Sequence, residues 1–150
     1  MQSYNWKEQE AYLNTFSHFK TNIGGLSIHF IHSKPSKTLA KKKKVLPLIL
    51  LHGWPGSFVE FTKMIPLLTK ETEGYDFVFE VVVPSLPGYG FSEAARKPGL
   101  GPAEIGLIFD RLMKRLGHDR YYVQGGDWSS LIGSNMATLY PSRYSLYSII

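Results

Sequence analysis

One carboxylate in the sequence stands where a sharp turn could present a reactive side chain. Asp127 follows an apolar segment, 121–123, and two glycines, and it precedes residues 131–139, whose pattern is typical of a buried helix. Gly125 and Ser129 lie two residues before and two residues after Asp127, and small residues there let a strand and a helix approach closely. This spacing predicts a nucleophile at the apex of a strand-turn-helix unit. The alternative interpretation is an ordinary glycine turn in which Asp127 only caps the helix.

A carboxylate can act as a nucleophile without a base, because its ordinary pKa of about 4 leaves it ionised at neutral pH. Attack on a saturated carbon would form an alkyl ester, and hydrolysis of that ester would place negative charge on an oxygen of Asp127. That charge requires hydrogen-bond donors, and the backbone N–H groups of Trp54 and Trp128 are the predicted ones. Each such donor is typically worth about 3 kcal/mol of transition-state stabilisation. We also expect the two indoles to line the pocket with apolar surface.

Loops that follow three predicted strands must position these groups. The segments typical of strands buried on both faces are 46–51, 77–83 and 121–124. They alternate with predicted helices, which indicates an α/β fold with a mostly parallel sheet and right-handed crossovers. Because the carboxyl ends of parallel strands lie at one edge, we expect the loops 52–56 and 84–92 to converge on Asp127.

Two helices are predicted between these strands. In the first, Ser57 and Glu60 match a capping box, and the regular part bends or ends near Pro66. The second begins at Pro102 and stops at Gly117. Its predicted buried positions are Ile105, Ile108, Phe109, Leu112 and Leu116.

The N-terminal part of the chain is predicted to form smaller elements. These are a helix over 5–16, strands over 19–23 and 26–32, and a polar connection over 33–44. The Gly24-Gly25 pair between the two strands is typical of a hairpin turn. His29 and His32 are assigned to the exposed surface of that hairpin.

Composition excludes several classes of function. A chain of 150 residues that is 43% hydrophobic is expected to form one globular domain or part of one, and it has no apolar run long enough to span a membrane. The formal charge of +5 includes four consecutive lysines, 41–44, which we assign to a solvated loop because no aromatic residues interleave with them. No nucleic-acid partner is therefore predicted. Without cysteine, and with five histidines at no metal-ligand spacing, neither a metal nor a cofactor is predicted.

The three loops resemble the signature loops of α/β-hydrolase-fold epoxide hydrolases, in particular the microsomal type, which includes the insect juvenile hormone epoxide hydrolases. The residues that carry the resemblance are His52, Gly53, Trp54, Pro55 and Gly56, then 84–92 with Gly90, then Gly125, Gly126, Asp127 and Trp128. The segment 4–32 resembles the N-terminal region of the same group. The resemblance therefore covers essentially the whole chain.

The resemblance implies a fold, a reaction and a set of roles. It implies the N-terminal half of an α/β-hydrolase core over residues 33–150, wrapped by a helix and hairpin over residues 1–32. Asp127 would open an epoxide to a vicinal diol through an alkyl-ester intermediate, while the N–H groups of Trp54 and Trp128 stabilise ester hydrolysis. The remaining loop residues, including Gly90, would be structural. The implied partners are water and a hydrophobic epoxide, which would be either a xenobiotic in detoxification or a juvenile hormone-type compound.

The resemblance also implies groups that the sequence up to Ile150 does not contain. Members of the group protonate the epoxide oxygen with two cap-domain tyrosines and activate water with a histidine and an acid, all beyond the position that matches Ile150. We therefore expect a truncated hydrolase core that is inactive by itself. A strand that begins at Ser145 would be left with an unpaired edge, so the isolated chain is predicted to aggregate or to fold only in part.

Two other functions stay open on the sequence. A non-catalytic, truncated paralogue could bind hydrophobic epoxides without converting them. A haloalkane dehalogenase-like hydrolase shares the Asp-Trp turn, although it places a polar or acidic residue where Trp54 stands.

For full-length members the resemblance implies the endoplasmic reticulum membrane, reached through an anchor that precedes the position of Tyr4. The sequence has no such anchor, which leaves a cytoplasmic location open.

Overall fold

The computed structural model describes residues 4–142 and 144–146, the last three by their backbone alone. The strands are β1 (His18–Ile23), β2 (Leu26–Ser33), β3 (Lys44–Leu51), β4 (Phe77–Pro84), β5 (Tyr121–Gly125) and β6 (Tyr144–Leu146). The helices are α1 (Trp6–Leu13), α2 (Lys37–Lys42), α3 (Ile65–Leu68), α4 (Pro102–Arg115) and α5 (Trp128–Leu139), and a 3-10 helix covers Phe58–Phe61. Within the described residues the strands form one sheet, in the order β1-β2-β4-β3-β5-β6.

The sheet is mostly parallel, as the sequence predicts. The strands β4, β3, β5 and β6 pair in parallel, whereas β1 and β2 form a hairpin that joins the sheet antiparallel to β4. Gly24 and Gly25 make the hairpin turn with φ angles of 61° and 84°, which glycine adopts without the strain of a side chain. The predicted strand from Ser145 is confirmed in β6, and its continuation over 147–150 lies outside the described residues.

Both faces of the sheet are covered, which explains the continuous apolar run in β3. Ile49 and Leu51 face α4 and α5, while Leu48 and Leu50 face the 3-10 helix and α3. The α4 side is the larger core and includes Phe109, Leu112, Met113, Ile132 and Met136, all fully buried or nearly so. Burial of one such side chain is worth about 1.5–3 kcal/mol.

The helix α4 begins and ends where its sequence predicts. Pro102 occupies its first turn, and the Glu104 carboxylate accepts a hydrogen bond from the N–H of Gly101 at 2.9 Å. At the other end Gly117 has a φ of 91°, and the N–H of His118 donates to the carbonyl of Met113 at 3.0 Å. This terminal motif fixes the position of His118 before β5.

Two local predictions are wrong. The segment assigned to a polar connection contains α2, because the hydroxyl of Ser36 accepts a bond from the N–H of Leu39 and lysines lie at the favourable C-terminal end. The helix predicted after Ser57 is divided into the 3-10 helix and α3. The Ser57 hydroxyl accepts a hydrogen bond from the N–H of Val59 instead of forming a capping box. The separate helix α3 begins at Ile65, and Pro66, which lacks an N–H, lies in its first turn.

His29 and His32 are not surface residues of the hairpin, contrary to the prediction. His29 is buried and bonds through its two ring nitrogens to His18 and to the Ser85 hydroxyl, each at 2.8 Å. His32 bonds to Glu80 at 2.7 Å, with its side chain 9% exposed. The reason is that β2 is not an edge strand: β4 pairs with it and the loop after β4 covers it.

The fold positions three loops at the carboxyl ends of β3, β4 and β5. The division of the chain at residues 32 and 33 stays a prediction. Because β1 and β2 belong to the same sheet as the other strands, the sheet marks no boundary there. Over the residues that the structure describes, no helix is both long and apolar enough to cross a membrane.

Candidate active site

Asp127 lies at the apex of a strained turn between β5 and α5. Its φ of 52° is the one positive value of a non-glycine residue among the described residues. Such a conformation costs on the order of 1–3 kcal/mol and persists only where the surroundings hold it. Gly125 allows the close approach that the spacing predicts, because a Cβ atom there would lie 2.7 Å from the Cβ of Ser129.

The carboxylate of Asp127 is held by backbone N–H groups. The Trp54 N–H donates to Oδ2 of Asp127 at 2.8 Å, and the N–H of Trp128 also bonds to the carboxylate. These bonds, that of Trp54 first, hold the pKa of Asp127 below its ordinary value. Asp127 is the N-cap residue of α5 by position, but its side chain makes no capping hydrogen bond to the N–H groups of the second and third helix residues, so the interpretation of Asp127 as a plain helix cap is wrong.

The first loop approaches Asp127 closely because Gly53 has no side chain. A Cβ atom at Gly53 would lie 2.9 Å from the Cβ of Asp127, and one at Gly56 would overlap the carboxylate of Glu60. Pro55 follows a cis peptide bond. The loop thus brings the Trp54 N–H to the carboxylate from a position 73 residues earlier in the chain.

His52 ties the first loop to the second. Its ring is fully buried, and Nε2 accepts a hydrogen bond from the N–H of Leu86 at 3.0 Å. Nδ1 therefore carries the proton, which points to the carbonyl of Gly53 at 3.1 Å. Burial lowers the pKa of His52, which keeps the ring neutral in this role. With both nitrogens engaged in loop contacts, His52 positions the backbone beside Asp127.

Ser129 ties the turn of Asp127 to the first loop. Its buried hydroxyl donates to the carbonyl of His52 at 2.5 Å. The sequence shows Ser129 only as a small residue that fits the turn, and no pattern in it indicates a partner 77 residues away. This bond connects Ser129, which follows Trp128, to His52, which precedes Gly53. A hydrogen bond therefore holds together the two backbone segments that carry the N–H donors.

The second loop is built around Ser85. Gly90 has a φ of 51°, and a Cβ atom there would lie 2.6 Å from the Ser85 hydroxyl. The hydroxyl of Ser92 donates to the carbonyl of Ser85 at 2.8 Å and accepts from the N–H of His29 at 2.9 Å. These contacts fold the loop against β2, and its Leu86 N–H then reaches His52.

A cleft of about 520 Å³ opens beside Asp127. Its walls include Leu51, Trp54, Phe61 and the glycines Gly125 and Gly126. Trp128 lies outside this lining and borders a neighbouring cleft with Leu86 and Tyr89, so the expectation that both indoles line one pocket is wrong. The residues Trp54 and Trp128 are 62% and 51% exposed.

The sequence and the fold are similar to those of known hydrolases. A family model for the epoxide hydrolase N terminus matches residues 1–61, and one for the alpha/beta hydrolase fold matches residues 47–145. Juvenile hormone epoxide hydrolase 1 of Ctenocephalides felis is 59% identical over 140 residues, which are 93% of this chain and 30% of that protein. Epoxide hydrolase 1 of Sus scrofa is 52% identical over 144 residues, 94% of this chain and 32% of that protein.

A solved structure gives the same result. The crystal structure of juvenile hormone epoxide hydrolase from the silkworm Bombyx mori superposes with a TM-score of 0.90 at 50% identity, covering 97% of this chain and 38% of that one. The chain thus spans about a third of the length of the curated relatives it matches. It belongs to the α/β-hydrolase fold family, and it is homologous to the N-terminal part of the juvenile hormone epoxide hydrolases and of epoxide hydrolase 1.

Proposed function

We propose that this chain carries the nucleophile and the oxyanion-stabilising groups of an epoxide hydrolase. The observation that carries the proposal is the exposed Asp127 carboxylate, ionised and directed by the N–H groups of Trp54 and Trp128. The homologues named above are epoxide hydrolases, which supports the choice of an epoxide as the electrophile.

In the first step an oxygen of Asp127 attacks one carbon of the epoxide ring. The ring C–O bond breaks, its electrons remain on the epoxide oxygen, and that oxygen takes up a proton. The product is an alkyl ester of Asp127. A carboxylate suits this step because it is ionised without a base, and the lowered pKa of Asp127 keeps it so down to acidic pH.

In the second step water attacks the carbonyl carbon of the ester. Negative charge then develops on the Asp127 oxygen that does not carry the alkyl group. The N–H groups of Trp54 and Trp128 already lie against the carboxylate, so they can stabilise this charge without reorganisation. Collapse of the intermediate releases the diol and restores the carboxylate.

The proton transfers of both steps need further groups. His52 does not fit the role of base, because Nε2 binds the N–H of Leu86 and Nδ1 faces the carbonyl of Gly53. No histidine among the described residues lines the cleft beside Asp127. We propose that a proton donor for the epoxide oxygen and a base for water come from sequence that the longer relatives have outside the matched region.

We further propose that the substrate is a hydrophobic epoxide, of xenobiotic or juvenile hormone type. The cleft beside Asp127 is bordered by Leu51, Trp54 and Phe61, which favour an apolar molecule. Location at the endoplasmic reticulum membrane, which the resemblance implies for full-length members, belongs to the same proposal.

The ester mechanism can be tested by a single turnover in water enriched in oxygen-18, with an active protein that contains this segment. Because water attacks the ester carbonyl, we expect one labelled oxygen in the Asp127 carboxylate and an unlabelled new hydroxyl in the diol. Mass spectrometry of the peptide that contains Asp127 measures the label. Formation of diol with Asp127 unlabelled and the solvent oxygen in the diol would refute the ester intermediate.

A further inference from the structure

A second polar cluster, which the proposed reaction does not use, lies inside the fold at Glu80. Nε2 of His32 and Nε2 of His118 both point at Oε1 of Glu80, at 2.7 and 3.2 Å. The three ligand atoms lie within 4.8 Å of one another. The side chains are 9%, 12% and 14% exposed for His32, Glu80 and His118, so the cluster is largely shielded from solvent.

Three separate elements bring these residues together. His32 lies on β2 opposite Val82 of β4, so Glu80, two residues earlier on β4, is its diagonal neighbour on the same face of the sheet. His118 comes from the turn after α4 that Gly117 fixes. In sequence the three residues are far apart, which is why linear spacing gives no sign of them.

The cluster is also separate from the Asp127 site. Glu80 lies four residues, roughly 13 Å, before the end of β4 that faces the Asp127 loops.

The ligand types of the cluster suit a cation. One carboxylate and two imidazoles from rigid elements are a ligand set that zinc sites use, with water completing the coordination.

We propose that His32, Glu80 and His118 form a binding site for one divalent cation of the zinc class. In a tetrahedral zinc site, bonds of about 2.0–2.2 Å place ligand atoms roughly 3.3 Å apart. The distances to Glu80, 2.7 and 3.2 Å, are shorter than that spacing by about 0.6 and about 0.1 Å, so small side-chain shifts make room for the ion.

Binding of the ion requires two local changes, and neither alters the backbone. Glu80 is acceptor-only when ionised, so in the free chain each histidine directs Nε2–H at it. Coordination through Nε2 requires that proton to leave this nitrogen, and Nδ1 carries the ring proton in the bound state. Lys34, whose Nζ lies 3.4 Å from Glu80, has a side chain that is 63% exposed and can turn into solvent. The bound ion would then join β2, β4 and the turn before β5, at a distance from Asp127 that assigns it a structural role.

The test uses a folded protein that contains this segment, titrated with Zn²⁺ in isothermal titration calorimetry, with Co²⁺ absorption as a second readout. We expect one Zn²⁺ per chain with micromolar or tighter affinity, and Co²⁺ bands in the visible region that show four or five ligands. The variants His118→Asn and Glu80→Gln should each bind at least about 10-fold more weakly. Circular dichroism of both variants should match that of the parent chain, since a turn residue and an isosteric amide leave the strands in place.

Two control variants separate this site from other histidine sites. His18→Asn removes the neighbouring pair in which His18 and His29 lie 2.8 Å apart, and it should leave Zn²⁺ affinity unchanged. Lys34→Ala removes the cation that competes for Glu80, and it should keep or increase the affinity. Failure of the parent chain to bind in the micromolar range would overturn the proposal. So would equal binding by the parent chain and His118→Asn, or loss of binding in His18→Asn.

Discussion

Asp127 and Glu80 both have a lowered pKa, for different reasons, and the contrast between them separates a reactive group from a structural one. Asp127 is exposed and is bonded by the backbone N–H groups of Trp54 and Trp128. Glu80 is enclosed, and its partners are the side chains of His32, His118 and Lys34. Backbone donors do not titrate, and the fold fixes them in place. They therefore keep a carboxylate charged while leaving it open to a substrate, whereas side-chain partners shield it.

The largest expected effect is the loss of reaction when Asp127 is replaced. In a protein that contains this segment and hydrolyses epoxides, Asp127→Ala should lower the rate about 10⁴-fold or more, because no other carboxylate lies between the two N–H donors. The matched variant Glu80→Gln should retain the rate within about 3-fold, since Glu80 lies four residues before the end of β4 that faces the Asp127 loops. Diol formation measures both. Comparable losses in the two variants would remove the distinction between them.

The next effect is on the stability of the folded chain at acidic pH, and it arises from the buried His29 and its side-chain partners. Burial, followed by the charges of His18 and Lys20, lowers the pKa of His29 to about 4, below the ordinary 6.5. Between these values the unfolded chain binds a proton that the folded chain does not, so stability is lost as the pH falls from 6.5 to 4. The loss from His29 is about 2–3 kcal/mol.

Urea unfolding of the parent chain and of His29→Gln at pH 7 and pH 4.5 measures this loss. The variant should lose less stability between the two pH values. Asp127→Asn should lose as much as the parent chain, because the pKa of Asp127 lies below this range. An identical loss in the parent chain and in His29→Gln would show that His29 is protonated in the folded chain.

A third effect tests the close approach at the turn. Gly125→Ala would place a Cβ atom 2.7 Å from Ser129, and such overpacking costs about 1–3 kcal/mol. The matched control is Gly133→Ala in α5, where the nearest atom, on Val123, is 3.7 Å away. There the better helix propensity of alanine should stabilise the chain by up to about 1 kcal/mol. The two variants should therefore shift the melting temperature in opposite directions. Equal destabilisation would contradict the close approach at Gly125.

The smallest effect tests the hydrogen bond that holds together the two backbone segments carrying the N–H donors. Ser129→Ala removes the hydroxyl that donates to the buried carbonyl of His52 and should cost about 1 kcal/mol of stability. Ser130→Ala, which removes a more exposed bond to the carbonyl of Asp127, should cost less. Chemical denaturation of the two variants compares them. If Ser130→Ala is the more destabilising, Ser129 does not have the positioning role assigned to it.

The elements that the sequence predicts correctly are those whose signals are local. The Gly24-Gly25 turn, the start of α4 at Pro102 and its end at Gly117 each depend on the conformational limits of the residue itself. The convergence of Trp54 on Asp127 follows from topology, because parallel strands bring their carboxyl ends to one edge.

The features that the sequence does not predict depend on contacts between distant residues. His29 alternates with apolar residues as an exposed strand residue would, but β4 and its loop bury it. Ser129 reads as a small residue, and its bond to His52 exists only once the two loops meet. The His32, Glu80 and His118 cluster is of the same kind, since its members lie on three elements.

The most direct test of the central claim is to identify the residue that an epoxide alkylates. A protein that contains this segment and hydrolyses epoxides, and its Asp127→Ala variant, are incubated briefly with an isotopically tagged aryl epoxide, quenched with acid, digested, and sequenced by tandem mass spectrometry. Because Asp127 is exposed and ionised, the ester should form there, and the acid quench should trap it. We predict one tag on Asp127 of the parent chain and none at that peptide in the variant. A tag on another residue, at equal level in both chains, would contradict the assignment of Asp127 as the nucleophile.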